Sequence, residues 1–445
     1  MKEQVKLKRT LGLWSSLAMV IGTVIGSGIF FKQASVLDYS HSTTMALLAW
    51  LFGGLLTLAS GLTIAEIGAQ MPHTGGLYVY MEKIYGKLWG FLSGWMQIII
   101  YGPAMIAALG SYLAILLVAF FGLSSSWQHP LAILSVALIT FFNLLSNRYG
   151  AAFQILTTIG KFIPIIAIII FGLFFGDHNA LGNVATQAST GATGNFGVAI
   201  LATLFAYDGW ILLANMGGEI KNPQKLLPLA IIWGLVIVLL AYVLVTWGVF
   251  SVLSADQIHQ FGENTTPHFA TIAFGSLGGK LLSIGIIISI AGCLNGKVMS
   301  FPRIMYAMAK NNDLPFSKQL SYLNAKTRSP MVSTLTIFAI AVLMILTVNA
   351  DRLTELCIFT VYCFYVMAFF GLFKLRLIRP QLPRPFSVPL YPWIPIIAIG
   401  GAIFVLISEI ISDTQGVFVS LIIVVVGIPI YFYKNKFRND NHLQH

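Results

Sequence analysis

Apolar residues fall along this chain in twelve long runs separated by polar stretches, over about 11–34, 43–69, 88–121, 130–146, 150–175, 196–217, 228–253, 271–309, 331–349, 354–377, 392–411 and 416–433. A helix rises 1.5 Å per residue, so about 20 apolar residues cross the hydrocarbon core of a bilayer. Each run therefore predicts one membrane-crossing helix. The third and eighth are longer and are expected to tilt or to project beyond the membrane. No soluble domain interrupts the pattern. The outside loops near 176–195 and 254–270, rich in Ser, Thr, Asn and Gly, read as plain connections.

Composition strengthens this reading. The 445 residues are 57% hydrophobic and 9% charged, against about 25% charged in ordinary soluble domains. So few charges cannot coat a soluble core, and lipid must cover much of the surface. The 41 glycines suit close helix packing in a bilayer. Cys293, Cys357 and Cys363 all lie inside apolar runs, which argues against a disulfide framework and a zinc site. The first run lacks a small-residue cleavage site, so it reads as a membrane helix rather than a removed signal peptide.

The net charge of +11 points to orientation rather than to nucleic acid. With the N-terminus placed inside, 20 of the 26 basic residues fall on inside segments. Only Lys32, Lys280 and Arg352 fall on the other side, and Lys161, Lys297 and Arg303 lie within runs. The asymmetry predicts both termini in the cytoplasm.

Two runs carry matching interruptions. The first contains Gly22-Thr-Val-Ile-Gly26-Ser27-Gly28 and the sixth Phe205-Ala-Tyr-Asp-Gly-Trp210. Non-helical backbone at membrane depth is tolerated only where it lines a cavity or is buried in protein. Helices one and six also hold corresponding places in two five-helix halves, the pattern of a carrier with a midplane site. Such a break offers free N–H groups to a carboxylate and free carbonyls to an ammonium. The competing reading of Gly22 and Gly26 is a helix-packing face. Phe205 and Trp210 flank the sixth-run break and are placed to close over a small ligand.

Lys161 lies more than ten residues inside the fifth run, too deep to snorkel easily. It is expected to hold freed carbonyls of the first break, where a carrier of another kind would hold sodium. Lys297 and Arg303 lie nearer the inner end of the eighth run and read as snorkelling residues. Asp208 is open to three readings: contact with a substrate ammonium, pairing with Lys161, or capping of the second half-helix. Glu66 and Glu219 read as gate or loop charges, and Glu409 as interfacial. Tyr242, Cys293 and Asn295 read chiefly as interhelical hydrogen-bonding groups. Most other Phe and Trp residues read as lipid-facing. Enzyme signatures such as HExxH, a phosphate loop or GxSxG are absent, and no cofactor or metal is expected.

Four stretches together resemble the L-type amino acid transporter branch of the amino acid–polyamine–organocation superfamily, near its bacterial serine/threonine and alanine–serine–cysteine exchangers. They are Val20–Phe30, Pro72–Tyr80, Phe205–Trp210 with Gly218–Pro223, and Leu294-Asn295-Gly296 followed by Arg303. The resemblance implies an all-α fold of two inverted five-helix repeats, 11–175 and 196–377, two further helices at 392–433, and cytoplasmic ends at 1–10 and 434–445. It implies sodium-independent exchange of small neutral L-amino acids by alternating access. Gly26, Ser27 and Gly28 would receive the carboxylate, with Gly22 in the same break. Carbonyls around Ile21, Phe205 and Ala206 would receive the ammonium. Phe205 would be the gate, Lys161 would stand by the vacant sodium position, and Tyr242 would complete the polar site. Many animal members carry Gly where Asp208 stands, so the resemblance assigns Asp208 no role. They also carry a cysteine between helices three and four for bonding a heavy subunit. The stretch Gly122–Pro130 has none, and no such partner is expected. Alternatives are a proton-coupled symporter, a cationic amino acid carrier, or a channel or receptor.

Overall fold

The computed structural model describes residues 7, 9–177, 180–182, 196–348, 350–412 and 414–440. Most of the loop expected at 176–195, and parts of both termini, lie outside the described residues.

Among the described residues, eleven helices are long and apolar enough to cross a membrane. In chain order they are span 1 (Leu13–Phe31), span 2 (Thr43–Gln70), span 3 (Lys87–Phe121), span 4 (Ser125–Leu145), span 5 (Arg148–Phe175), span 6 (Phe196–Leu213), span 7 (Pro223–Val252), span 8 (Ala255–Lys310), span 10 (Cys357–Ile378), span 11 (Trp393–Ile411) and span 12 (Thr414–Lys434). The shorter apolar helix Met331–Thr347 stands in the ninth place. The protein is an all-helical, multi-pass membrane protein. The described residues include no strand, only the isolated bridges Leu11–Ile220 and Thr74–Met216.

Burial orders the spans. The apolar stretch of span 1 is 78% buried, against 22–33% in spans 4, 5, 11 and 12. Span 1 therefore runs through the centre and those four make the lipid-facing rim. Their outward residues, such as Ile163 and Phe174, are large, apolar and exposed, a surface suited to a hydrocarbon solvent. Not every aromatic faces lipid, however. Trp50 is fully buried, with its ring edge-on to Tyr207 and Tyr242 at 6.1 and 5.4 Å.

Local chemistry explains several boundaries. Ser42 and Ser146 accept hydrogen bonds from the first-turn amides of Met45 and Arg148 and so start spans 2 and 5. Gly122 closes span 3 at φ +64°. The segment 254–270, expected as a plain connection, instead holds the helix Ala255–Phe261. Ser254 and Gln257 form a reciprocal capping box that nucleates it. Span 8 then restarts at Thr265 and bends at Gly275, where φ is +73°. Another short helix, Leu77–Tyr85, joins spans 2 and 3.

Span 3 is irregular at its middle. Pro103 has no N–H for the carbonyl one turn back, and the chain adopts a π-helical turn at Gln97–Tyr101.

The acidic residues of the spans sit deeper than expected. Glu409 is buried rather than interfacial. Glu66 is fully buried and ties three elements together. Arg376 of span 10 donates to both its oxygens at 2.9 and 2.6 Å, and the Val388 amide donates at 2.7 Å. Arg384 stands 3.7 Å away. Removing one partner of a buried ion pair leaves the other uncompensated. Glu66→Ala is expected to destabilise the protein by about 3 kcal/mol or more, seen as a lower thermal midpoint in detergent. An unchanged midpoint would contradict this account.

Candidate functional site

Span 1 breaks after Val24. The helix Leu13–Val24 ends at Ile25, whose ψ is 97°, and helix resumes at Gly28. Span 6 breaks at the same level. The helix Phe196–Ala206 ends, Gly209 takes φ +114°, and the chain continues as a 3-10 turn, Trp210–Leu213. The second half of span 6 is thus tighter than the α-helix expected there. Gly209 is required on two counts. Its φ belongs to glycine, and a Cβ would sit 2.6 Å from the Thr23 carbonyl oxygen. The breaks therefore meet backbone to backbone.

Four buried side chains serve the carbonyls that the breaks release. Lys161 is completely buried, and its ammonium donates to the carbonyl of Gly22 at 2.9 Å and to that of Ile25. Ser289 adds a hydroxyl 3.3 Å from the Ile25 oxygen. The Tyr242 hydroxyl lies 3.1 Å from the Val24 carbonyl of one break and 3.0 Å from the Ala206 carbonyl of the other. The Cys293 thiol donates to Thr23 at 3.0 Å. The backbone amides of Gly26 and Ser27, by contrast, donate to no acceptor among the described residues.

A small cavity of about 20 Å³ lies between the breaks, room for about one water molecule. Gly26, Ser27, Gly28, Phe205, Ala206 and Asp208 line it, joined by Thr23, Val24, Met105, Leu109, Cys293 and Lys297. Phe205 is half-buried, with the Lys32 ammonium 5.7 Å from its ring centre. The structure does not bring four other expected groups to this wall. The Ile21 carbonyl accepts the Ile25 amide inside the helix. Gly22 packs on Gln154 and Thr158 of span 5. Trp210 packs on Tyr365 at 5.5 Å. Lys161 sits behind the break, on its carbonyls.

The remaining charges are paired, not snorkelling. Lys297 is buried with its ammonium 3.3 Å from Asp208, which also accepts from the Tyr101 hydroxyl at 2.7 Å. Asp208 thus pairs with Lys297 of span 8 and not with Lys161. Arg303 is buried against Glu219 at 2.9 Å. Both basic residues are buried, and each finds a carboxylate, Asp208 at the span 6 break or Glu219 beyond it.

That Arg303–Glu219 pair belongs to a closure on the side where span 1 begins. There the amides of Thr10 and Leu11 donate to Glu219, the Gly75 amide donates to Asn215 at 2.9 Å, and Ser300 bonds Leu212 and Asn215. A cavity of about 610 Å³ opens beyond it, walled by Arg9, His73, Lys83, Lys310 and Asp313. Tyr78 donates to Asp313 at 2.6 Å, and burial, with Asp313 beside it, pushes its phenol well above the usual range.

A sequence model of the family described as Amino acid permease matches residues 11–429. The chain belongs to the amino acid permease family. The permease is 52% identical to the serine/threonine exchanger SteT of Bacillus subtilis over 430 residues, 97% of this chain and 98% of the relative. It is 29% identical to the b(0,+)-type amino acid transporter 1 of Mus musculus, over 96% of this chain and 88% of that one. The Asc-type amino acid transporter 1 of Homo sapiens is likewise 29% identical, over 97% and 83%.

Sequence reasoning passed over Tyr101 and Ser289. Tyr101 had a signal, because Tyr-Gly-Pro in mid-run marks a helix irregularity, and π-turns often occur at functional sites. Ser289 had none, since one serine in an apolar helix is common. The glycines of the permease also have a second duty. A Cβ at Gly28 would lie 2.5 Å from the Ala206 backbone, and one at Gly26 would lie 2.8 Å from the Cys293 sulfur. Gly28→Val is therefore expected to push the two breaks apart, abolishing transport and lowering the thermal midpoint together. Ser27→Ala, which adds no bulk, is expected to leave the midpoint unchanged. A Gly28→Val protein with wild-type stability would show that the contact is not needed.

Proposed function

We propose that this permease exchanges small neutral L-amino acids, such as serine, threonine and alanine, across the cell membrane, without sodium and by alternating access. The observation that carries the reading is the 52% identity, over nearly the full length of both chains, to a protein named a serine/threonine exchanger. The paired breaks at midmembrane depth supply its physical basis.

In this reading the substrate carboxylate takes the unpartnered amides of Gly26 and Ser27, with Gly28 and the Ser27 hydroxyl beside it. The ammonium takes the second lone pairs of the Phe205 and Ala206 carbonyls, whose first partners are the Asp208 amide and Tyr242. Met105, Leu109 and Phe205 bound the space for the side chain, which favours small substrates. A cavity of about 20 Å³ is too small for an amino acid, so entry requires the half-helices to part. Phe205 is the gate residue on one side. On the other, the Leu11–Ile220 and Thr74–Met216 bridges and the Arg303–Glu219 pair must separate.

Sodium is unnecessary because Lys161 already supplies a fixed positive charge to the Gly22 and Ile25 carbonyls. Residues 11–175 and 196–377 form two halves, each beginning with a broken helix. Residues 392–433 add spans 11 and 12, and the ends at 1–10 and 434–445 face the cytoplasm, where the basic loops gather. The three free cysteines lie within spans 8 and 10, so the protein works without a disulfide-linked subunit.

Proteoliposomes loaded with unlabelled serine are expected to take up labelled serine equally in sodium and potassium buffers, and empty ones to take up little. Uptake into empty vesicles driven by a pH gradient would instead favour a proton symporter. Lys161→Ala removes two charge-assisted hydrogen bonds, each contributing about 1.5–3 kcal/mol. It is expected to lower exchange roughly tenfold or more in a protein that still purifies as a single species. Wild-type kinetics in that variant would remove Lys161 from the mechanism.

A further inference from the structure

Lys32 is one of three basic residues that the proposed topology places outside. A basic residue on that side opposes the charge asymmetry that sets orientation, so orientation does not account for it. Nor does solvation, since Lys32 is half-buried where Lys280 is exposed. Its ammonium stands 5.7 Å from the ring centre of Phe205, which lines the cavity. Along span 1 it comes one turn after the break, and its own amide donates to the Gly28 carbonyl at 2.9 Å. The unpartnered amides of Gly26 and Ser27 lie just before that turn.

Nothing beside Lys32 uses its charge. Among the described residues it has no carboxylate within ion-pair distance. Asp38, the nearest acidic residue along the chain, lies 2.7 Å from the ring nitrogen of His259 instead. The outer half of span 1 is fastened by neutral groups. The Thr266 hydroxyl donates to the Phe30 carbonyl at 2.7 Å. The Gln33 side-chain amide donates to the Ile29 carbonyl at 2.9 Å and to the Thr246 hydroxyl at 3.1 Å. Helix resumes at Gln33–Ser40, so the ammonium compensates no free helix end. Packing here could be kept without a cation.

An ammonium on a phenyl ring is held more weakly than one hydrogen-bonded to a carboxylate. When Phe205 moves aside to open the cavity, the ammonium loses the ring, and an arriving carboxylate is the better partner. We propose that Lys32 is a positioning residue for entry from the outside. It takes the carboxylate of the incoming amino acid and passes it to the amides of Gly26 and Ser27 as Phe205 closes. This rests on reading the cavity as the amino acid site and the termini as cytoplasmic. The same charge repels the substrate ammonium, so the zwitterion arrives with its carboxylate toward span 1 and its ammonium toward the Phe205 and Ala206 carbonyls. With the carboxylate delivered, Lys32 settles back on the ring.

The test compares the full-length protein in right-side-out and inside-out membrane vesicles loaded with saturating unlabelled serine. Wild-type exchange is measured first, and its absence would remove the reading of the site and this proposal with it. For Lys32→Gln, the serine concentration giving half-maximal uptake into right-side-out vesicles is expected to rise roughly fivefold or more. Its maximal rate is expected to stay within about twofold of wild type, and half-saturation in inside-out vesicles to stay unchanged. Lys32→Arg, which keeps the charge, is expected to restore the outer value. With wild-type exchange present, an unchanged or lowered outer value in Lys32→Gln would overturn the role of Lys32 alone, a lowered one showing that it only holds the gate shut. An equal rise from both faces would overturn it too, marking a merely structural role. Lys32→Met, similar in length and uncharged, decides in the same way where Lys32→Gln is not recovered folded.

Discussion

The Lys161 ammonium on the carbonyls of Gly22 and Ile25 is the interaction on which the centre of this protein depends. A helix that opens in the middle of a bilayer releases polar backbone groups where no lipid can bond them. The break in span 1 persists because a side chain from span 5 supplies a fixed cation there, buried completely and held by its own helix. Placement of the opposed break follows from this. Thr23, in the last turn before the opening, packs its carbonyl on Gly209 and holds its hydroxyl 3.1 Å from the Gly209 oxygen. Tyr242 spans the carbonyls of both. The amides left over at Gly26 and Ser27 are those that face the cavity.

Around this centre, buried charges come in pairs, and each pair joins different parts of the chain. Lys297–Asp208 joins spans 8 and 6 at the cavity, and Arg303–Glu219 joins span 8 to the segment after span 6, nearer the end where span 1 begins. Glu66–Arg376 joins span 2 to span 10 and to the segment before span 11. Pairs of this kind add little net stability relative to apolar packing, but they are exacting about register. Span 8 therefore carries two charge contacts within two turns, one to the break of span 6 and one to the segment that follows it.

Much of this was legible in the chain. Among the described residues the twelve apolar runs correspond to eleven membrane-length helices and the shorter Met331–Thr347, because lipid sets a minimum apolar length for each crossing. Gly26-Ser27-Gly28 and Asp208-Gly209 marked the breaks because helix-breaking residues have few reasons to stand in an apolar run. The partners of ionisable residues were less legible. Position along a run gives the depth of Lys297 and Arg303 but not what a neighbouring helix presents at that depth, and both proved paired rather than snorkelling. For Asp208, the sequence offered Lys161 as partner, but the packing of spans 6 and 8 supplies Lys297 instead. Capping by Ser254 and Gln257 was readable from a four-residue motif, yet a polar composition masked it as loop.

The contact of Gly209 with the Thr23 carbonyl has a further consequence. At Gly209 the two broken helices meet main chain to main chain, with the Thr23 hydroxyl beside the contact. The pivot is therefore made of parts common to every sequence that keeps those glycines. Residues lining the cavity, such as Met105, Leu109 and Lys297, come from other helices. The broken helices line the rest of the cavity themselves, through Gly26, Ser27, Gly28, Phe205 and Asp208, so only the walls lent by other helices can be altered while the backbone contact stays whole. A carrier assembled in this way can acquire a new cargo by drift in its walls, without relearning how to move.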